Sequence, residues 1–397
     1  MAYNETIESS GFPLAFKVRQ GRARPAVIAA ESGRDVFLAE ARQIGGHQKE
    51  CVVHEGTTGS AFRAVSDEGA QLKGTDLAPF PLGFYNAGLS ADLVNRVLAT
   101  ARARAITLDR LEVVLHNRYS MTGSFFQGTG VGAAEPARIK VGVSSSATRA
   151  QIDALVQDAG LASPALATMR VPLTNTFALY VNGHRRKVIS LPPSQSSDAS
   201  DPFVTYRKPP APLDGASAPR DLVYKTGQTT QGEFVYQAAE TKGRVVIDVS
   251  GRCRLLDPAG VTETVVRLGF PSTSHFAIRS DERGAHDIAP SGLSLTTSGI
   301  VFCYITQLLR YIEHQKLNIR GVRVVQASPY TLTGIPAGQW RGGAAPVDTH
   351  LFLNGEASED TYETLMTVAA RTCYLHAALG ATLPPEIMVE HGEQAAA

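Results

Sequence analysis

The strongest constraint on this chain is a repetition in its punctuation residues. Residues 78–123 align on residues 289–334 without a gap, at a constant offset of 211, and ten of the 46 positions are identical. Ordinary composition gives agreement at roughly 6% of positions, or about three matches. The observed matches fall on residues with specific backbone demands. Ala78-Pro79 meets Ala289-Pro290, Gly88 meets Gly299, and Tyr119, Thr122 and Gly123 meet Tyr330, Thr333 and Gly334. Upstream, Phe62 and Ser66-Asp67-Glu68 are echoed by Phe276 and Ser280-Asp281-Glu282. Downstream, the offset falls to 210 where Pro136 meets Pro346.

A length of 397 residues already predicts two or three domains. The repeat predicts two similar ones, over 1–183 and 226–397. Residues 184–225 read as a linker rich in Pro, Ser and basic residues, with one strand at Val204-Thr205-Tyr206-Arg207. Each copy shows the same order: short alternating strands, a helix beginning near Ala87 or Ser298, two strands, and a second helix. The two strands lie around 111–115 and 139–143 in the first copy, and around 322–326 and 350–353 in the second. Thr148, with Gln151 three residues on, and Ser358, with Glu359 and Asp360 behind it, open the second helices. This pattern predicts an α+β fold. Residues 298–314 are apolar on nearly every face through two turns, so that helix is expected at a shared centre, with the copies packed as an internal pseudo-dimer.

Thirty-eight Lys and Arg against 37 Asp and Glu leave a formal charge of +1, which supplies no global field for nucleic acid or an acidic membrane. The N-terminus has no basic region followed by an apolar run, which predicts a soluble, cytoplasmic protein with no membrane or nucleic-acid partner. Four cysteines, at 51, 253, 303 and 373, are too few for a disulfide scaffold. Cys51-x-x-His54 has the spacing of half a metal site but lacks a second pair, so no metal is expected. Cys253 reads as packing, and Trp340, in a Gly-rich loop, as a hydrophobic plug. Cys303 lies in the central apolar helix and Cys373 late in the second helix of the same copy, where packing of the two helices would permit the pair to meet.

A strand-rich N-terminal part, a proline near a helix start, a cysteine deep in that helix, a strand about 15 residues later and a second cysteine late in another helix resemble the osmotically inducible protein C and organic hydroperoxide resistance (OsmC/Ohr) superfamily. The resemblance covers most of both halves. It implies two OsmC-like domains with antiparallel sheets wrapped around central helices, Cys303 as attacking thiol and Cys373 as resolving thiol. It also implies a thiolate-stabilising arginine, for which Arg279 and Arg283 lie in the right region, and a glutamate after the proline before the central helix. After Pro290 the chain reads Ser291-Gly292-Leu293-Ser294, with no acid before Cys303. The first copy has Asp92 at the position of Cys303 and Ser163 at that of Cys373, so one dithiol site is expected in a chain of two copies.

The leading reading is a thiol-dependent redox enzyme that reduces an organic hydroperoxide or related electrophile. It needs no bound cofactor but an external dithiol, supplied by a thiol reductant protein, and it leaves room for further homo-oligomerisation. A second reading keeps Cys303 as the nucleophile of a hydrolase or carbon-bond-cleaving enzyme, with Asp92 or His376 as proton carrier. The third is a non-catalytic binder of apolar ligands in which the cysteines only pack.

Overall fold

The computed structural model describes residues 5–19, 34–56, 58–208, 210–213, 221–231, 245–282, 288–334 and 339–392. In the first half the strands are β1 (Ala15–Lys17), β2 (Arg34–Gln43), β3 (Lys49–His54), β4 (Ala61–Ser66), β5 (Arg110–Thr122), β6 (Val131–Ala134), β7 (Arg138–Ser144), β8 (Thr176–Val181) and β9 (His184–Arg186). The second half adds β10 (Val223–Thr229), β11 (Val245–Leu255), β12 (Val261–Leu268), β13 (Ser274–Asp281), β14 (Ile319–Thr333), β15 (Arg341–Ala344), β16 (Asp348–Gly355) and β17 (Glu386–Gly392). The helices are α1 (Ile7–Ser10), α2 (Pro81–Ala103), α3 (Arg149–Ala162), α4 (Pro164–Arg170), α5 (Phe203–Tyr206), α6 (Gly292–Gln315), α7 (Glu359–Thr372) and α8 (Tyr374–Leu379).

The fold is α+β, with two sheets that are mostly antiparallel. Each sheet draws on both halves of the chain. The nine-stranded sheet runs β1-β4-β3-β2-β14-β16-β8-β9, with β15 on β14, and the eight-stranded sheet runs β10-β13-β12-β11-β5-β7-β17, with β6 on β5. The junctions are long ladders: β2 pairs β14 from Arg42↔Arg323 to Arg34↔Thr331, and β11 pairs β5 from Val245↔Met121 to Arg254↔Glu112. The two parallel pairs, β8 with β16 and β7 with β17, also join opposite halves.

Helices α2 and α6 pack on each other at the centre. Gly88 lies against Thr296 and Gly292, while Gly299 lies against Tyr85 and Pro81, so the helices run antiparallel. A Cβ on Gly299 would stand 2.6 Å from the Tyr85 backbone nitrogen and one on Gly88 2.5 Å from that of Thr296. Glycine is required here because backbone meets backbone. Helix α6 has the length and hydropathy of a membrane span, but 94% of its most apolar window is buried within the protein.

Both central helices begin six residues before the expected starts at Ala87 and Ser298. Pro81 occupies the first helical position, where its missing N–H costs nothing, and Ser291 caps α6 by accepting from the Ser294 backbone N–H. The poor helix formers that follow are tolerated because their hydroxyls bond back along the helix, Thr296 to the Gly292 carbonyl at 2.9 Å and Ser298 to that of Ser294 at 2.8 Å. Thr148 caps α3 in a reciprocal box with Gln151, and Ser358 caps α7.

Residues 204–207, expected as a strand, belong instead to α5 and its C-cap. The Asp201 carboxylate accepts from the Phe203 N–H at 2.9 Å and starts a turn there. Residues 199–206 of the linker lie on the outer face of the nine-stranded sheet. Ala199 packs on the cluster of Val36, Leu38, Tyr180 and Phe352, Tyr206 donates to the Glu40 carbonyl at 2.7 Å, and Arg323 bonds Asp201 through two nitrogens. The boundary drawn at 183 falls in the β8–β9 turn, and the one at 225–226 falls inside β10.

Candidate active site

Cys303 lies in the fourth turn of α6, and Cys373 is the residue between α7 and α8, ending one and opening the other. Both are buried free thiols, and Cys303 is the neighbouring thiol that acts on Cys373. Burial, followed by this thiol partner, pushes Cys373 well above the ordinary thiol value, opposed by the backbone N–H groups of His376 and Leu375 that face its sulfur. At neutral pH Cys373 therefore carries its proton.

A narrow cleft with about 30 Å³ of open space reaches Cys303. Phe80, Leu82, Ile247, Leu268 and Phe270 give it apolar walls, and Glu68 and Gln307 stand among its polar lining. That space fits roughly one water-sized group, such as the reacting end of a small electrophile. The broad groove of about 980 Å³ near Arg323 and Asn354 lies at the end of the nine-stranded sheet and contains no cysteine.

Glu68 comes from the first half, just beyond β4, and accepts from Thr306 Oγ1 at 2.5 Å and Lys49 Nζ at 2.9 Å. Lys49 is fully buried and also donates to the His47 carbonyl. Glu68 and Lys49 are not among the residues expected at the site, and no acid stands between Pro290 and Cys303. The available signal was the repeated Ser-Asp-Glu at 66–68 and 280–282. Arg310, two turns after Cys303, faces Tyr374, Glu68 and Cys303, with its guanidinium 4.1 Å above the Phe125 ring and bonded to Gln307 at 2.9 Å. Cys303, Thr306, Gln307 and Arg310 form one helical face, a spacing readable from the sequence once the helix is placed.

Arg279 is not part of this group. Phe276 and Ile278 face the core, so Arg279 points to the opposite face of β13, where it meets Glu263 at 3.3 Å and Tyr224. Arg283 lies outside the described residues.

Asp92 is at the other end of the helix pair. Its backbone nitrogen would be 2.8 Å from a Cβ on Gly292, so it is level with the start of α6, and Cys303 is roughly 16 Å further along the axis at 1.5 Å per residue. Asp92 accepts from Ser163 Oγ and from the Ala165 N–H at 3.1 Å, and lies 3.5 Å from Arg96 Nε. Arg96 in turn holds Glu282 at 2.6 Å. Ser163 occupies the break between α3 and α4, as Cys373 does between α7 and α8. Burial raises the Asp92 carboxyl above its usual range against the pull of Arg96, and burial with the Asp92 charge raises Glu282 to about 7.

His376 packs its ring on Tyr304 and Phe177 at 5.1 and 5.4 Å, and neither ring nitrogen has a hydrogen-bond partner among the described residues. Its imidazole therefore does not reach the Cys373 thiol. Burial pushes it down to about 4, so it is neutral in the native state while the unfolded imidazole charges below pH 6.5. The unfolded chain then binds the extra proton between those values, and stability falls as pH drops through that window. His376→Phe should remove about 2 kcal/mol of the stability that wild type loses between pH 7 and pH 5. Urea unfolding of both proteins at the two pH values measures this, and identical losses would refute it.

Cys51 and His54 point to opposite faces of β3, with Cys51 in the core beside Ser298 and His54 on Glu40 at 3.1 Å. Among the described residues no cluster of three or more metal-ligating side chains occurs. Burial raises Cys51 to about 12 and Cys253 to about 11, leaving both inert. Trp340 is half-buried beside β15.

No protein-family model matches this chain, and no curated protein matches it. Among solved structures it is similar to an OsmC-like hydroperoxide resistance protein from Jannaschia sp. CCS1, 21% identical over 32% of this chain and 81% of that one. The TM-score is 0.20, too low to support any structural equivalence.

Proposed function

We propose that the chain is a thiol-dependent redox enzyme of the OsmC type that reduces an organic hydroperoxide at Cys303 and resolves the product with Cys373. The observation that carries this reading is a pair of neighbouring buried thiols, of which Cys303 lines a largely apolar cleft. The Cys303 thiolate attacks the terminal oxygen of R–O–O–H, breaking the O–O bond to give a sulfenic acid and an alkoxide that is protonated to R–OH. The Cys373 thiol then displaces the sulfenic oxygen as water, forming a disulfide. An external dithiol restores both thiols by exchange. Arg310 supports the thiolate electrostatically, and Glu68 fixes Thr306 on the same helical face.

In this reading the halves are two intertwined OsmC-like units forming a pseudo-dimer, supported by their common order from α2 to β8 and from α6 to β17. The first unit completes the site by supplying Glu68 and Lys49 and has no dithiol of its own. The hydrolase reading loses the two proton carriers expected for it, because neither Asp92 nor His376 lines the cleft at Cys303.

Adding cumene hydroperoxide to the reduced protein should remove two of the four thiols within one turnover, and Cys303→Ser should lower peroxide consumption by roughly a thousandfold or more, as expected for a removed nucleophile. Retention of all four thiols, or unchanged consumption by the variant, rejects the reading. Failure of iodoacetamide to label either Cys303 or Cys373 at neutral pH would favour a non-catalytic binder.

A further inference from the structure

A buried hydroxyl without a partner is rare in a folded chain, and each case calls for an explanation. Tyr119 carries one. It projects from β5, is almost wholly buried, and its oxygen has no hydrogen-bond partner among the described residues. Its ring tilts against Tyr374, the residue after Cys373, with ring centres 5.8 Å apart. The ionisable groups that act on the oxygen are Tyr85, Cys303 and Cys373. Tyr85 is already engaged, its hydroxyl 2.8 Å from that of Thr168.

The residue at the matching position in the other half behaves differently. Tyr330 stands near Asp92 and reaches the Thr297 hydroxyl at 3.4 Å. Of these two tyrosines, only the one on the thiol side has an orphaned oxygen. Thiols are weak acceptors, whereas an oxygen bonded to sulfur is a strong one.

We propose that Tyr119 is a positioning residue for the oxidised cysteine: its hydroxyl donates a hydrogen bond to the sulfenate oxygen acquired by Cys303 and holds it until Cys373 reacts. This rests on the hydroperoxide reading above. Attack of the Cys303 thiolate on R–O–O–H gives Cys303–S–OH and R–O⁻. The alkoxide takes the sulfenic proton and leaves as R–OH, so sulfur loses two electrons and the O–O bond gains them. The resulting S–O⁻ accepts from Tyr119, which keeps its own proton throughout. Resolution by the Cys373 thiol, with one proton from solvent, forms the disulfide and releases water.

The test uses full-length Cys373→Ser, in which the sulfenic acid has no thiol to condense with and can be trapped by dimedone and counted by mass spectrometry. Adding Tyr119→Phe should shorten the lifetime of the trappable species about tenfold and speed its passage to sulfinic acid. The iodoacetamide rate at reduced Cys303 should stay the same, and Tyr119→Phe alone should not lower Tm, since it removes an unpaired polar atom. Tyr330→Phe in the same background should leave the lifetime unchanged. Equal lifetimes with and without the Tyr119 hydroxyl overturn the proposal. A parallel fall in alkylation rate also overturns it, because it would mark a loss of packing. If Cys373→Ser with Tyr119 intact yields no sulfenic acid, the hydroperoxide reading fails first and the role of the tyrosine falls with it.

Discussion

Glu68→Ala should cost the protein about 3–5 kcal/mol, among the largest losses available from a single side chain, because it strands a charge in the interior. Lys49 is fully buried and the Glu68 carboxylate is its counter-ion at 2.9 Å, so truncation leaves the ammonium with the His47 carbonyl as its remaining described acceptor. Thr306 Oγ1 loses an acceptor at 2.5 Å at the same time, although its bond to the Phe302 carbonyl remains. The double variant Glu68→Gln/Lys49→Met removes both charges and should recover most of that stability. Urea unfolding separates the two outcomes. If the carboxylate also orders the cleft for chemistry, the stable double variant will still reduce hydroperoxide roughly a hundredfold more slowly. Recovery of stability and rate together would confine Glu68 to neutralising Lys49.

Asp92→Ala is expected to cost about 2–4 kcal/mol, since the carboxylate accepts from the Ser163 hydroxyl and the Ala165 N–H inside the protein. Asp92→Asn should behave differently. Asp92 and Glu282 share one close guanidinium, Arg96, and burial raises both carboxyls, Glu282 to about 7 against an ordinary 4.5. A raised carboxyl favours the native state while it is protonated, so this contribution is fully present below about pH 4.5 and is lost as pH rises through 7. Asparagine keeps an acceptor for Ser163 and Ala165 while removing one of the two competing charges. Stability of Asp92→Asn should therefore change less than that of wild type between pH 5 and pH 8. Thermal unfolding across that range checks the sign, and parallel curves would show that Asp92 and Glu282 do not compete.

Local features were the most legible in the sequence. The Thr148 box and the Ser358 cap are four-residue patterns, and both helices begin where those patterns place them. The early starts of α2 and α6 were hidden because tertiary contact between glycines outweighs the weak propensity of residues such as Thr296, Thr297 and Ser298. The pairing of β2 with β14 was hidden for another reason: strands about 280 residues apart leave no local mark of their register. At the candidate site, the two cysteines stand out in the sequence by their spacing, but their proximity depends on three-dimensional packing. Arg279 illustrates a signal present but unused, since the alternation of Phe276 and Ile278 already turned it away from the core. Glu68 was visible as a repeated acid, but only the fold brings it from the first half onto Thr306 of α6.

The mixed parentage of the sheets bears on how the chain is made. A ribosome releases β2 long before β14 exists, and the edge that β2 offers to Arg323–Thr331 stays unpaired while about 280 further residues are added. A finished nine-stranded sheet cannot form on the nascent N-terminal half, so folding is dominated by late, long-range closure, the slow regime for β pairing. During that interval β2 exposes a strand edge of the kind that recruits strands from neighbouring chains. Yield in cells should therefore depend more on chaperones and growth temperature than the stability of the finished molecule would suggest.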